Sequence, residues 1–255
     1  MLTLAVFAKF IAPQDPYEIN LSDEQKLQPP SAEHLFGTDD LGRDIFSRIV
    51  YGTRISISVG LIAVVISLVI GVILGAIAGY YGGKIDWIIM RIVELMMCIP
   101  RIFLILMILA FLGPSIINVM VVIGLTSWPG LVRMVRAEFL TLRERDYVLA
   151  AKVSGAPNRR IIFRHILPNA LSPVWVSATL GVGGAILVEA ALSFLGLGVQ
   201  VPTPSWGNIL TDGMHYVDSA WWIMFFPGLF ILMTVLSFNL VGEGLRDILD
   251  PRLKI

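Results

Sequence analysis

The sequence predicts an all-α polytopic membrane protein, and three observations carry that expectation. Hydrophobic residues make up 56% of the 255 and charged residues only 15%, with a mean hydropathy of +0.80. A soluble domain of this length needs more polar surface. Runs of roughly 20 apolar residues, the length that crosses a hydrocarbon core, recur along the chain. Lysine and arginine collect in one stretch between two of those runs, which is the asymmetry that orients membrane helices. Net charge is zero, so its distribution matters more than its sum, and no nucleic-acid partner is expected. The single cysteine, Cys98, excludes an internal disulfide or a thiolate metal cluster from this chain alone. It reads as a small buried apolar side chain.

The opening "MLTLAVFAKFIAP" is apolar but covers only about 18 Å as a helix. It lacks a basic region before the apolar part and a small-residue cleavage site, so it does not read as a signal peptide. It reads instead as the outer half of a truncated first span. From Pro13 to Arg54 the chain is richer in acid (Asp15, Glu18, Asp23, Glu24, Glu33, Asp39, Asp40, Asp44) than in base. Within this loop, Thr38 or Asp39 is placed to cap a helix with Asp40 in its first turn. Leu41, Ile45 and Ile49 form an apolar stripe at i, i+4, i+8, so an amphipathic helix is expected along the membrane surface before the chain enters at Ile55.

Five spans follow: Ile55–Ala78, without a charge; Trp87–Leu112, which contains Arg91, Glu94 and Arg101; Ile116–Leu131, running on as a polar helix; Ala170–Leu197; and Trp221–Val241. With the truncated first one, about six are expected. Eight of the 19 Lys and Arg lie between Arg133 and Arg164, and none lies between Gly198 and Ala220. The basic segment is therefore expected inside and the acidic loops outside, with the C-terminal tail (Arg246, Arg252, Lys254) also inside. This divides the chain into residues 1–53 (partial span and outer loop), 54–243 (transmembrane domain) and 244–255 (cytoplasmic tail). The loop "VQVPTPSWGNILTDGMHYVDSAWW" reads as compact, with aromatic anchors at the interface. Glycines 71, 75 and 79, and 181 and 184, favour close helix contact.

No catalytic constellation is legible. His34, His165 and His215 lack ligand spacing. "AGYYGGKID" fails as a phosphate loop: Ala78 stands where the first glycine belongs, and Ile85 where Ser or Thr would hold magnesium. It reads as a tight turn between two spans. ATP, if it powers this protein, is expected on another subunit.

The segment "LAAKVSGAPNRRIIFRHILPNA" (149–170) reads as a polar helix–turn–helix. A short helix over Asp146–Ser154 ends at Gly155, which takes up φ > 0 at little cost. Pro157 suits the first turn of a second helix over Arg159–Leu167, and Pro168 marks the approach to the next span. Ala150, Ala151 and Gly155 present a small surface suited to seating in a groove on another protein. An ordinary basic connector is the alternative.

This segment resembles the coupling loop of ABC importer permeases, whose pattern is Glu-Ala-Ala, three residues, Gly, nine residues, then Ile-x-Leu-Pro. Ala150, Ala151, Gly155, Leu167 and Pro168 fall on it. Leu149 replaces the Glu, leaving no carboxylate there for an ion pair with an ATPase, and His165 replaces the Ile. "PPSAEHLFGTDDLGRDIFSRIVYGTRISISVG" and "VEAALSFLGLGVQVPTPSWGNIL" narrow the resemblance to the C-type permeases of dipeptide, oligopeptide and nickel importers, over nearly all of Pro29 to Pro251. The resemblance implies a type I ABC importer transmembrane domain in a bacterial or archaeal inner membrane. It implies a second homologous permease subunit, two ABC ATPases carrying ATP and magnesium, and an extracytoplasmic substrate-binding protein. The chain itself would bind no cofactor and catalyse nothing.

Four charges in the spans remain. Glu189 either lines the path or gate or makes a structural hydrogen bond to a neighbouring helix. Arg91 and Glu94, at i, i+3, can pair with each other or face substrate. Arg101, after Pro100, either faces the path or snorkels to the surface. A self-sufficient channel or secondary transporter would instead show paired broken spans or an internal repeat carrying ion ligands, and neither is read here.

Overall fold

The computed structural model describes residues 1–22 and 24–249. Asp23 of the acidic loop and the tail cations Arg252 and Lys254 lie outside them. The described chain is helical, with no strand among these residues beyond an isolated bridge between Thr38 and Asp44. Two short helices, α1 (Leu2–Val6) and α2 (Ala8–Ile11), open the chain and pack on α3 (Ile45–Tyr81). Then come α4 (Gly83–Cys98), α5 (Arg101–Leu112) and α6 (Ile116–Leu142). The basic segment forms α7 (Asp146–Val153), α8 (Asn158–Arg160), a π-helical turn (Ile161–Ile166) and α9 (Leu167–Ala170). The remaining helices are α10 (Ser172–Phe194), α11 (Trp206–Gly213) and α12 (Trp222–Leu249). Helices α3, α6, α10 and α12 are each long and apolar enough to cross a membrane, and α4 with α5 makes a fifth, broken span.

The break is a correction to the continuous span expected over Trp87–Leu112. Pro100 has no N–H to continue the ladder and forces the residue before it out of helical geometry, so Ile99 is extended and the two halves meet at 87°. A second correction concerns the outer loop. The helix cap is Asp44, whose carboxylate accepts the Ser47 N–H at 2.8 Å, rather than Thr38 or Asp39. The helix it starts is not a separate surface element but runs 37 residues without interruption through the first long span. The boundary drawn at 53/54 falls inside it. Ile45 and Ile49 are fully buried, packed with Trp206, Trp222 and Ile223. Trp206 is likewise core rather than an interface anchor: its indole N–H donates to the Ile49 carbonyl (3.2 Å). The capping box of Ser205 with Asn208 starts α11.

Close packing of α3 on α6 holds the bundle. A Cβ at Gly71, Gly75 or Gly79 would fall 2.5, 2.7 and 2.5 Å from the Cβ of Leu131, Val135 and Phe139. Both sets climb by four together, so the two helices run parallel, with the α4–α5 pair returning between them. This is small-xxx-small packing, in which missing side chains let backbones approach. Gly75→Ala is expected to cost about 1–3 kcal/mol because the opposing atoms are a β-branched carbon and the Val132 carbonyl. Thermal denaturation of the purified protein measures this. An unchanged midpoint would remove the close contact from the account.

At the end where α3 begins, burial of charge replaces burial of apolar surface. Asp39, fully buried, accepts hydrogen bonds from the Arg43 side chain (2.7 Å), from Arg48, and from the backbone N–H groups of Leu41 and Arg43 (both 2.9 Å). Arg48, also buried, reaches on to Asp212 of α11 at 3.3 Å. Two guanidinium groups thus share two carboxylates and tie the N-terminal loop, α3 and α11 together.

Candidate functional site

Two regions bring the chemistry-bearing residues of the sequence together: the basic segment at one end and a track of hollows along the bundle. In the basic segment, α7 closes with a Schellman motif. The Gly155 N–H donates to Lys152 O (3.0 Å) and the Ala156 N–H to Ala151 O (3.1 Å), with Gly155 at φ +77°. Pro157 then caps α8. The second helix runs further than Arg159–Leu167. Pro168 offers no N–H to the Arg164 carbonyl, the ladder widens into the π turn, and the chain stays helical through Ala170.

The underside of this segment is core. Val148, Ile161, Ile166 and Ala170 pack with Val135 and Phe139 of α6. The Tyr80 hydroxyl donates to the Asn158 side chain at 2.8 Å, and the Arg143 guanidinium donates to Gly79 O at 3.1 Å. The opposite side is bare. Tyr147, Leu149, Ala150 and Gly155 are exposed, and Val153 is 90% exposed. Exposed Lys152, Arg159 and Arg160 lie beside them. Of the residues singled out in the sequence, Ala150, Gly155, Pro157 and Pro168 are exposed, and Ala151 and Leu167 are half-buried. A rigidly mounted apolar patch with a cationic rim has the composition of a docking surface.

The track runs from a hollow among α3, α6 and α10 into the space between α6 and the α4–α5 pair. The first hollow, of about 160 Å³, is lined by Arg101 with Ser67, Ser127, Ser177 and small residues of α3 and α10. Arg101 and Ser127 also line the next hollow, which adds Pro100, Thr126 and Met97. Met97 is shared in turn with a third, bounded by Glu94, Arg133, Met90 and Cys98. Cys98 is exposed, not buried as expected: the break at Ile99 turns it out of the bundle. Arg91 and Glu94 form the i, i+3 ion pair that their spacing predicts (2.7 Å), and Arg91 also lies over the Trp87 ring.

Glu189 is not on the track. It sits five residues before the end of α10, fully buried, accepting from the hydroxyls of Ser193 (2.8 Å) and Ser205 (2.9 Å). Ser205 caps α11, so this carboxylate joins α10 to the loop helix. The sequence reading missed the serines at 67, 127 and 177. Their signal was a hydroxyl inside an otherwise apolar run. Gly82 and Gly83, both at positive φ, form the turn that joins α3 to α4. No group of residues able to hold a metal is found among the described residues.

Residues 71–255 match the family described as binding-protein-dependent transport system inner membrane component. The chain is 51% identical over 253 residues to the dipeptide transport system permease protein DppC of Alkalihalophilus pseudofirmus, covering 99% of this chain and 83% of that protein. It is 50% identical over 260 residues to DppC of Escherichia coli K12, covering all of this chain and 86% of that protein. Among solved structures, an inward-facing form of the MetNI methionine ABC transporter superposes with a TM-score of 0.65 at 19% identity. The match covers 81% of this chain and 98% of that one, a likeness of fold.

Proposed function

The chain belongs to the family of binding-protein-dependent transport system inner membrane components, and on that premise we propose that it is the C-type permease subunit of an ABC importer for dipeptides and short oligopeptides. It supplies half of the translocation path and pairs with a second, homologous permease. Two ABC ATPases, which hold the ATP and magnesium, dock on the α7–α9 segment. An extracytoplasmic binding protein delivers substrate at the acidic end. The basic end and the C-terminus face the cytoplasm, as the concentration of Lys and Arg there favours. Residues 54–243 are the transmembrane domain by this reading, and Arg101 with the Arg91–Glu94 pair lies on or beside the path. Nickel chelates are the other cargo of the resembled family.

The observation that carries the reading is the pairing of a near-full-length likeness to dipeptide permeases with a bare, cation-rimmed patch built on Leu149, Ala150, Val153 and Gly155. Methionines along the track suit a cargo of variable side chains, because a flexible thioether adapts to different apolar partners. The broken α4–α5 span is the one feature that a self-sufficient secondary transporter would share, but such transporters break two spans in corresponding halves. Co-expression with the paired permease, both ATPases and the binding protein, followed by uptake into proteoliposomes, tests the proposal. Peptide uptake is expected only with the full set and with ATP. Uptake by this chain alone, driven by an ion gradient, would overturn it.

A further inference from the structure

We propose that the hollow around Arg101 is a carboxylate subsite that receives the C-terminal carboxylate of the peptide in transit. The inference rests on the peptide-permease reading and adds which end of the cargo this subunit holds. Four helices converge on the hollow: Arg101 opens α5 directly after the 87° break, Ser67 comes from α3, Ser127 from α6 and Ser177 from α10. No carboxylate is among its lining residues, and no ion pair or hydrogen bond engages Arg101 among the described residues. Arg101 is exposed in the isolated chain, yet it stands unpaired at the break of a membrane span, where a guanidinium is costly unless paired or wet and marks a functional position. Its planar fork of donors matches a carboxylate bidentately.

The hydroxyls complete the polarity. Ser67 and Ser127 donate to backbone carbonyls of their own helices, at Val64 and Ile123, so they offer the carboxylate no proton, and their oxygens are left to accept from the guanidinium. Among the described residues Ser177 makes no such bond, so its hydroxyl can donate to a carboxylate beside the guanidinium. The rest of the wall is Ala63, Ala178, Gly181, Gly184 and Ala185 with Val64 and Leu131. At about 160 Å³ the space is near the ~150 Å³ that holds a benzene-sized group. That suits one terminal residue, not a whole peptide. The next hollow begins at the same Arg101 and Ser127 and leads toward the methionines, where the remainder of the peptide would lie.

The test uses the complete transporter in proteoliposomes with two probes, dialanine and dialanine amide. The same binding protein serves every permease, so the ratio of variant to wild type for each probe isolates the membrane step. Arg101→Gln is expected to cut dialanine uptake at least tenfold and amide uptake less than twofold. Arg101→Lys is expected to recover part of the dialanine rate. Equal losses for both probes, or no loss, would overturn the subsite while leaving the permease reading intact. Absence of any peptide uptake by the wild type would overturn both. A second measurement avoids variants and the binding protein. Phenylglyoxal modification of Arg101, read by mass spectrometry on the assembled wild-type complex, is expected to slow severalfold in excess dialanine and not in the amide. Protection by phosphatidylglycerol in the bilayer, instead of by dialanine, would assign the guanidinium to lipid phosphate and overturn the proposal.

Discussion

Replacing Gly155 with arginine is expected to leave the permease folded and to abolish transport. Gly155 has φ +77°, and a side chain there costs about 1–2 kcal/mol in a left-handed conformation. Yet among the described residues a Cβ at this position meets nothing within 4 Å beyond its own chain neighbours, so the protein can accommodate the substitution with that strain alone. What the arginine fills is the space in front of the exposed patch formed by Tyr147, Leu149, Ala150 and Val153, which a docked ATPase would occupy. Uptake is expected to fall more than tenfold, with ATP hydrolysis no longer stimulated by loaded binding protein, while the melting midpoint of the purified permease shifts by only a few degrees. Transport within twofold of wild type would make the segment a connector and not a coupling element.

Replacing Asp39 with asparagine is expected to have the largest effect on stability of any single charge. Asp39 is the shared acceptor of two buried guanidinium groups, Arg43 and Arg48. Removing its charge leaves both in the protein with only the partly exposed Asp212 as counter-ion. Breaking a buried pair in this way costs about 3–5 kcal/mol, a loss of roughly 6–20 °C in melting midpoint for a chain of this size. Asp212→Asn supplies the contrast, with an expected cost under about 1 kcal/mol. Burial pushes the Asp212 carboxyl above its ordinary value against the pull of Arg48 and Arg43. A group whose folded pKa is raised contributes stability that is complete below the unfolded value, here 3.8, and lost as pH rises through the folded one. The wild type is therefore expected to lose this contribution on going from acid toward neutral pH, and the Asp212→Asn variant to lack that part of the slope. Equal costs for the two substitutions would show that the cluster is not organised around Asp39.

The long spans were legible because apolar runs of about 20 residues need no tertiary information to be seen. The basic segment was legible because Gly155 and Pro157 punctuate it at positions where backbone geometry requires them. The uninterrupted helix from Ile45 was not. Its first ten residues contain Arg48 and Arg54, which read locally as loop or surface. What makes Arg48 tolerable inside the protein is Asp39 and Asp212, the latter 164 residues away. The same holds for the Arg101 hollow. Pro100 and Arg101 signalled a break and a misplaced charge, but the three serines facing it come from three other helices, and their convergence is a property of packing. Glu189 showed its neighbour Ser193 one turn on. Its second partner, Ser205, belongs to a loop that folds back over the end of the helix.

The 37-residue α3 is a strut of roughly 55 Å, well beyond the ~30 Å of a hydrocarbon core. It is bolted at one end through Arg48 and the Asp44 cap and at the other through Gly79 and Tyr80, which the basic segment grips. It has no proline or break along its length, so it has no built-in hinge of the kind that kinks a helix. Ser67 sits 22 of the 36 steps from Ile45 to Tyr81. A tilt pivoting on the latched end therefore carries the Ser67 wall of the Arg101 hollow about three-fifths as far as it carries the Tyr81 end. Tyr81 and the Ser67 wall of the hollow belong to one unbroken piece of secondary structure, with no joint between them.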